Sequence, residues 1–98
     1  MSDDAPAPAP RPSVVRLPAL FAGLFPTAER TLALDVRSVD ELFDALDARW
    51  PGMRDRLCDS TPAIRRHINV FIDGKRATLE TPIRPGDDVF IVTAISGG

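Results

Sequence analysis

Apolar residues recur along this chain at two different periods. From Arg30 to Val36 they alternate, with Leu32, Leu34 and Val36 on one face and Thr31, Ala33 and Asp35 on the other, which is the period of a half-buried strand. Val14-Val15-Arg16-Leu17 predicts a shorter strand that pairs with it as a hairpin. Ile68, Val70 and Ile72 alternate with His67, Asn69, Phe71 and Asp73, and Asp73-Gly74 predicts a tight turn before a strand from Arg76 to Leu79. A last strand, Val89 to Ile95, is rich in β-branched residues and follows the turn Pro85-Gly86-Asp87-Asp88. Between the second and third strands the spacing becomes helical. Val39, Leu42, Phe43, Leu46 and Trp50 form one stripe, Ser38-Val39-Asp40-Glu41 is a capping box, and Pro51-Gly52 is a stop. A helical turn is expected from Arg54 to Leu57, then a loop through Asp59-Ser60-Thr61-Pro62. Ala19 to Phe25 contains Gly23 and is bounded by Pro18 and Pro26. It fits a short helix or a strand end running into a wide loop, and the prolines and glycine favour the loop.

Strand, strand, helix, strand, short strand, strand is the order of a β-grasp fold, an α+β ubiquitin-like architecture in which a mixed sheet packs on one main helix. The first and last strands then lie parallel at its centre. A ferredoxin-like domain needs a second full helix, and Met53 to Ala63 lacks the apolar stripe for one. The helix requires an aliphatic sheet face, met by Leu32, Leu34, Val36, Ile68, Val70, Ile72, Val89 and Ile91. By parity the opposite face carries Phe71, Phe90, Val92 and Ala94 with no second helix to cover them. An uncovered apolar cluster marks a contact surface, so Phe71, Phe90 and Val92 are the candidate partner-binding residues; the alternative is that the N-terminal segment folds over them.

Length and composition narrow the picture. The chain has 98 residues, 44% hydrophobic and 27% charged, enough for one domain with a modest core. We divide it into a disordered Pro/Ala-rich lead (1–12), a folded domain (13–94) and a flexible tail (95–98). Prolines at 6, 8, 10 and 12 favour extended conformers in the lead, either as an inert tail or as a ligand for a polyproline-binding domain. A net charge of -2 with no basic run beyond Arg65-Arg66 argues against a nucleic-acid partner. The absence of a long apolar run or signal-like start argues against a membrane partner and for the cytoplasm. One cysteine and one histidine offer neither a disulfide nor a zinc cluster, and no bound cofactor is expected.

Individual reactive side chains carry little chemistry. Cys58 beside Leu57 reads as a small packing residue, and His67 as a cross-strand hydrogen-bonding residue. Arg65, Arg66, Lys75, Arg76 and Arg84 surround the loops bracketing the third strand, as a solvated rim or as a surface for an acidic partner. The chemistry is expected at the C-terminus. Beyond Ile95 the side chains shrink through Ser96 to Gly97 and Gly98, leaving a carboxylate on a thin arm able to enter a narrow site.

Three segments, Arg66 to Gly74, Thr81 to Val89 and Ile95 to Gly98, resemble the ubiquitin-like sulfur-carrier family. That family includes the small subunit of molybdopterin synthase, the thiamine sulfur carrier and a carrier used for cysteine synthesis. The resemblance implies a protein co-substrate and no enzyme on its own. It implies that Gly98 is adenylated by a partner related to ubiquitin-activating enzymes, which uses ATP, and then becomes a thiocarboxylate. Ser96 and Gly97 would thread the tail, a sulfur donor and an acceptor synthase would complete the partners, and the free carrier is expected to be a monomer. The connection from Leu57 to Arg66 and the Leu17-Pro18 strand end resemble the cysteine-synthesis carriers. The molybdopterin synthase small subunit is the runner-up, although Val14-Val15-Arg16-Leu17 departs from its phenylalanine-rich first strand. A modifier forming isopeptide bonds through Gly98, or a binding module with an incidental Gly-Gly, are the readings from other classes.

Overall fold

The structure, a computed structural model, describes residues 12–93. The predicted lead, apart from Pro12, lies outside the described residues, as do Ala94, the last residue of the predicted domain, and the predicted tail 95–98. Five strands form one sheet in the order β2-β1-β5-β3-β4. They are β1 (Ser13–Arg16), β2 (Thr31–Leu34), β3 (Ile68–Ile72), β4 (Lys75–Arg76) and β5 (Asp88–Thr93); the helices are α1 (Leu20–Leu24), α2 (Val39–Arg49) and α3 (Met53–Leu57). β1 and β5 pair in parallel and the other neighbours are antiparallel. This is the expected β-grasp, with β5 at the centre.

The core forms where the two periods meet. Val39, Leu42, Phe43 and Leu46 of α2 are fully buried, with Trp50 at its C-terminal end nearly so. They pack with Val15, Leu32, Leu34, Val36, Ile68, Val70, Ile72, Val89 and Ile91 from the sheet side, so every residue of the predicted aliphatic face is in the core. Ser38 caps α2 by accepting from the Glu41 N–H at 3.1 Å. The reciprocal arm of the box is displaced by one residue, because Glu41 Oε1 accepts from the Arg37 N–H rather than from that of Ser38. The first N–H groups of the helix are met from elsewhere in the chain: Val39 donates to Thr81 C=O and Asp40 to Leu79 C=O, satisfying groups a helix leaves orphaned.

Those two bonds explain why β4 is shorter than the predicted strand from Arg76 to Leu79. After Arg76 the chain leaves the sheet edge, burying Ala77 and Leu79 and bringing its carbonyls to the α2 N-terminus. The Ala19–Phe25 stretch also departs from the favoured reading, since it forms the one-turn helix α1 and no loop. Pro18 precedes that turn, where a missing N–H is harmless, and its carbonyl accepts from Phe21 at 3.0 Å. Phe21 is buried and its ring lies 5.8 Å from that of Phe25, so tertiary packing holds the turn.

The predicted turns have the required backbone. Asp73 and Gly74 have φ of 50° and 86°, the left-handed pair that a two-residue hairpin needs. At Pro85-Gly86 the glycine has φ of 85°, and the Arg84 C=O accepts from the Asp87 N–H at 3.1 Å, as in a type II turn. α3 is tied to α2 by Arg54, whose guanidinium reaches Asp40 at 2.6 Å and Asp44 at 3.0 Å. The hydrogen bond to Asp40 holds Arg54 above its ordinary pKa against the opposing effect of burial, and Asp44 adds to it. Beyond α3, Asp59 accepts from the Thr61 hydroxyl and from the N–H groups of Thr61 and Ala63. Those bonds, the Thr61 hydroxyl first, hold its carboxyl below the usual range.

Candidate functional site

Strand parity decides which side chains of β5 reach solvent. In the β3–β5 ladder Phe71 stands opposite Phe90 and Asn69 opposite Val92, so these four lie on the face away from α2. Phe90 and Val92 are 40% and 37% exposed and Phe71 is half-buried. The three predicted partner-binding residues therefore come together on one face, uncovered among the described residues; the N-terminal segment that was the alternative cover lies outside them. Ala94, also predicted there, lies outside the described residues, as do Ser96, Gly97 and Gly98.

The parallel pairing of β1 with β5 adds a residue to this face. Arg16 stands beside Phe90 in register; its guanidinium carbon lies 4.7 Å from the Phe90 ring centroid and it pairs with Asp88 at 3.6 Å. A cation over an aromatic face is attracted by the ring quadrupole, so Arg16 places positive charge beside the apolar patch. Sequence reasoning missed Arg16. Its parity against Val15 and Leu17 was legible, but its neighbour across the sheet was not. A shallow depression of about 300 Å³ runs from Arg16 and Phe90 past Pro18 and Arg30 to Thr93. Thr93, the last described residue of β5 and still paired with Ile68, thus stands at the end of a surface holding aromatic, aliphatic and cationic groups. Nearby α1 adds Leu20 and Leu24, exposed by 56% and 40%.

The remaining candidates are scattered or structural. Cys58 is buried in the core, as expected of a packing residue. His67 is exposed before β3 and makes no side-chain hydrogen bond among the described residues; the residue that the register places opposite it, Ala94, lies outside them. Of the five predicted cations, Arg65, Arg66 and Arg76 line one groove. Arg84 sits in the Pro85-Gly86 turn, where its carbonyl accepts from the Ser13 hydroxyl. Among the described residues no group of three or more His, Cys, Asp or Glu side chains is arranged to hold a metal ion.

The profile of the ThiS family matches residues 18–98. The chain belongs to the ThiS family of ubiquitin-like sulfur carriers. Small archaeal modifier protein 1 of Haloferax volcanii is 32% identical to it over 83 residues, covering 81% of this chain and 95% of that protein. A crystal structure of the same Haloferax protein superposes with a TM-score of 0.71 at 28% identity, covering 88% of this chain and 98% of that one. The Amycolatopsis orientalis BexX/CysO complex contains a chain with a TM-score of 0.77 at 24% identity, covering 88% of this chain and 99% of that one; at that identity the likeness concerns the fold. ThiS-family proteins of this kind are carriers and modifiers and not catalysts, and this chain is likewise no enzyme by itself. Among the described residues no helix is long and apolar enough to cross a membrane.

Proposed function

We propose that this chain is a cytoplasmic sulfur carrier whose reactive group is the Gly98 carboxylate. An ionised carboxylate resists nucleophiles, and adenylation removes that resistance. A carboxylate oxygen attacks the α-phosphorus of ATP in the site of a ubiquitin-activating-enzyme-like partner, and pyrophosphate leaves. A sulfide-level sulfur from a donor then attacks the acyl carbon, the acyl–oxygen bond to AMP breaks, and the product is a thiocarboxylate. Gly97 and Ser96 thread the tail into the partner, while the rigid face of Phe71, Phe90 and Val92 is held against it. The observation that carries this reading is that face, with its depression leading to the end of β5, in a chain ending Ser96-Gly97-Gly98.

The favoured acceptor is a synthase that makes cysteine from an activated serine-derived unit, on the strength of the Leu17-Pro18 strand end and the long Leu57–Arg66 connection. The small subunit of molybdopterin synthase is the runner-up. A modifier joined to lysines through Gly98 is supported by the 32% identity to small archaeal modifier protein 1. Deleting Gly98, or extending the chain beyond it, should abolish ATP–pyrophosphate exchange with the cognate activating enzyme and leave the thermal melt unchanged. Undiminished exchange refutes the carrier reading. Intact-mass spectrometry separates the two classes: a carrier gains the mass difference of sulfur for oxygen, and a modifier appears as Gly-Gly remnants on lysines of other proteins.

A further inference from the structure

We propose that the outer edge of β2 is a strand-pairing surface for a second copy of this chain, joined in antiparallel register about a two-fold axis at Ala33. Leu17 N–H donates to Arg30 C=O at 2.8 Å, in the same register that sets Val15 opposite Leu32 and Ser13 opposite Leu34. Closely bonded pairs alternate along an antiparallel ladder, so Leu32 and Leu34 turn their main-chain groups toward β1 while Thr31 and Ala33 turn theirs away. β2 pairs with β1 alone, and no loop of the described residues bonds the outward groups of Thr31 or Ala33. The side chains alternate in step: Thr31, Ala33, Asp35 and Arg37 are exposed, while Leu32, Leu34 and Val36 are buried. The other edge of the sheet is blunted, since β4 is two residues long and carries Lys75 and Arg76, whereas β2 holds neither a charge nor a proline.

The sequence along this edge is self-complementary in one register. Setting Ala33 opposite Ala33 of the second copy places Thr31 opposite Asp35 and Glu29 opposite Arg37, each pair twice by symmetry. At Ala33 the copies exchange main-chain bonds across two small side chains, and the Thr31 hydroxyl donates to the facing Asp35 carboxylate. Glu29 and Arg37 are exposed, and neither has an ion-pair partner among the described residues. A shift of two residues one way sets Glu29 against Asp35, and the other way leaves Glu29 without a cation. A shift of one residue puts the bonding groups and side-chain faces of the two strands out of step. The joined sheet keeps both faces of Phe71, Phe90 and Val92 on one side and both α2 helices on the other, so the docking face stays open. One strand pair buries less than a standard interface, so the dimer dissociates on dilution and the free chain is a monomer when dilute.

The test uses the full chain, isotope-labelled for NMR and followed in parallel by sedimentation, from about 20 μM to about 1 mM, the range in which so small an interface assembles. Exchange of the Thr31 and Ala33 amide protons with solvent should slow about twofold or more as half of the chains pair, while the Leu32 and Leu34 amides, which face β1, change little. Glu29→Arg and Arg37→Glu each turn two attractive pairs into repulsive ones and should weaken association about 5- to 30-fold. Mixing these two variants should restore it, because every charge then meets its opposite across the edge. Phe90→Ala, on the outer face away from this edge, should leave association unchanged. A chain that stays monomeric over the whole range, with Thr31 and Ala33 exchange independent of concentration, overturns the proposal. So does association that the single variants do not weaken, that their mixture does not restore, or that Phe90→Ala lowers, which would put the contact on the aromatic face.

Discussion

Phe90 and Ile91 are adjacent on β5 and point to opposite faces, so truncating each to alanine separates docking from folding. Ile91 is 1% exposed in the core, and Ile91→Ala removes buried carbons and leaves a cavity, costing about 2 to 5 kcal/mol. For a domain of this size that lowers the melting temperature by roughly 4 to 8 °C per kcal/mol. Phe90 keeps 40% of its surface exposed. Full burial of a phenylalanine is worth about 1.5 to 3 kcal/mol, and its exposed pairing with Arg16 about 0.5 to 1 kcal/mol. Phe90→Ala should therefore cost the fold about 1 to 2 kcal/mol, less than Ile91→Ala. Its larger effect should be on docking, where a central aromatic anchor contributes roughly 1 to 3 kcal/mol, about 5- to 150-fold in Kd for the activating enzyme. Calorimetric titration and thermal melts on both variants measure the two effects. If Phe90→Ala binds normally, or if Ile91→Ala weakens binding beyond its loss of folded protein, the uncovered face is not the docking surface.

Two further outcomes test the fold. Leu46→Ala, at a fully buried position on α2, should destabilise by about 2 to 5 kcal/mol in chemical denaturation; a loss under about 1 kcal/mol would mean the α2 stripe is not in the core. Asp59, whose carboxyl is held below its ordinary value of 3.8, should contribute stability that is present above about pH 4 and lost as pH falls through its lower folded value. Asp59→Asn should therefore be less stable than the wild type at neutral pH, with the gap closing in acid; a gap constant from neutral pH to about pH 2 would show that the charge contributes nothing.

Local chemistry was legible in the sequence wherever one element could decide it. The α2 stripe, its Ser38 cap, the Asp73-Gly74 and Pro85-Gly86 turns and the two faces of β3 and β5 follow from periodicity and backbone preference, which act over a few residues. The apolar half of the candidate site, Phe71, Phe90 and Val92, was readable for the same reason, since parity within a strand needs no partner. Pairing between distant segments was not readable. Arg16 joined the face only because β1 lies parallel to β5, and β4 stopped at Arg76 because the Leu79 and Thr81 carbonyls are held by the α2 N-terminus. The Ala19–Phe25 stretch became a helix because Phe21 found a buried site, a packing gain that local proline and glycine preferences do not contain. The groove beside Val70 is the consequence of that early end to β4, and only the tertiary fold brings Arg65, Arg66 and Arg76 to its rim, because the bonds that shape it join residues far apart in the chain.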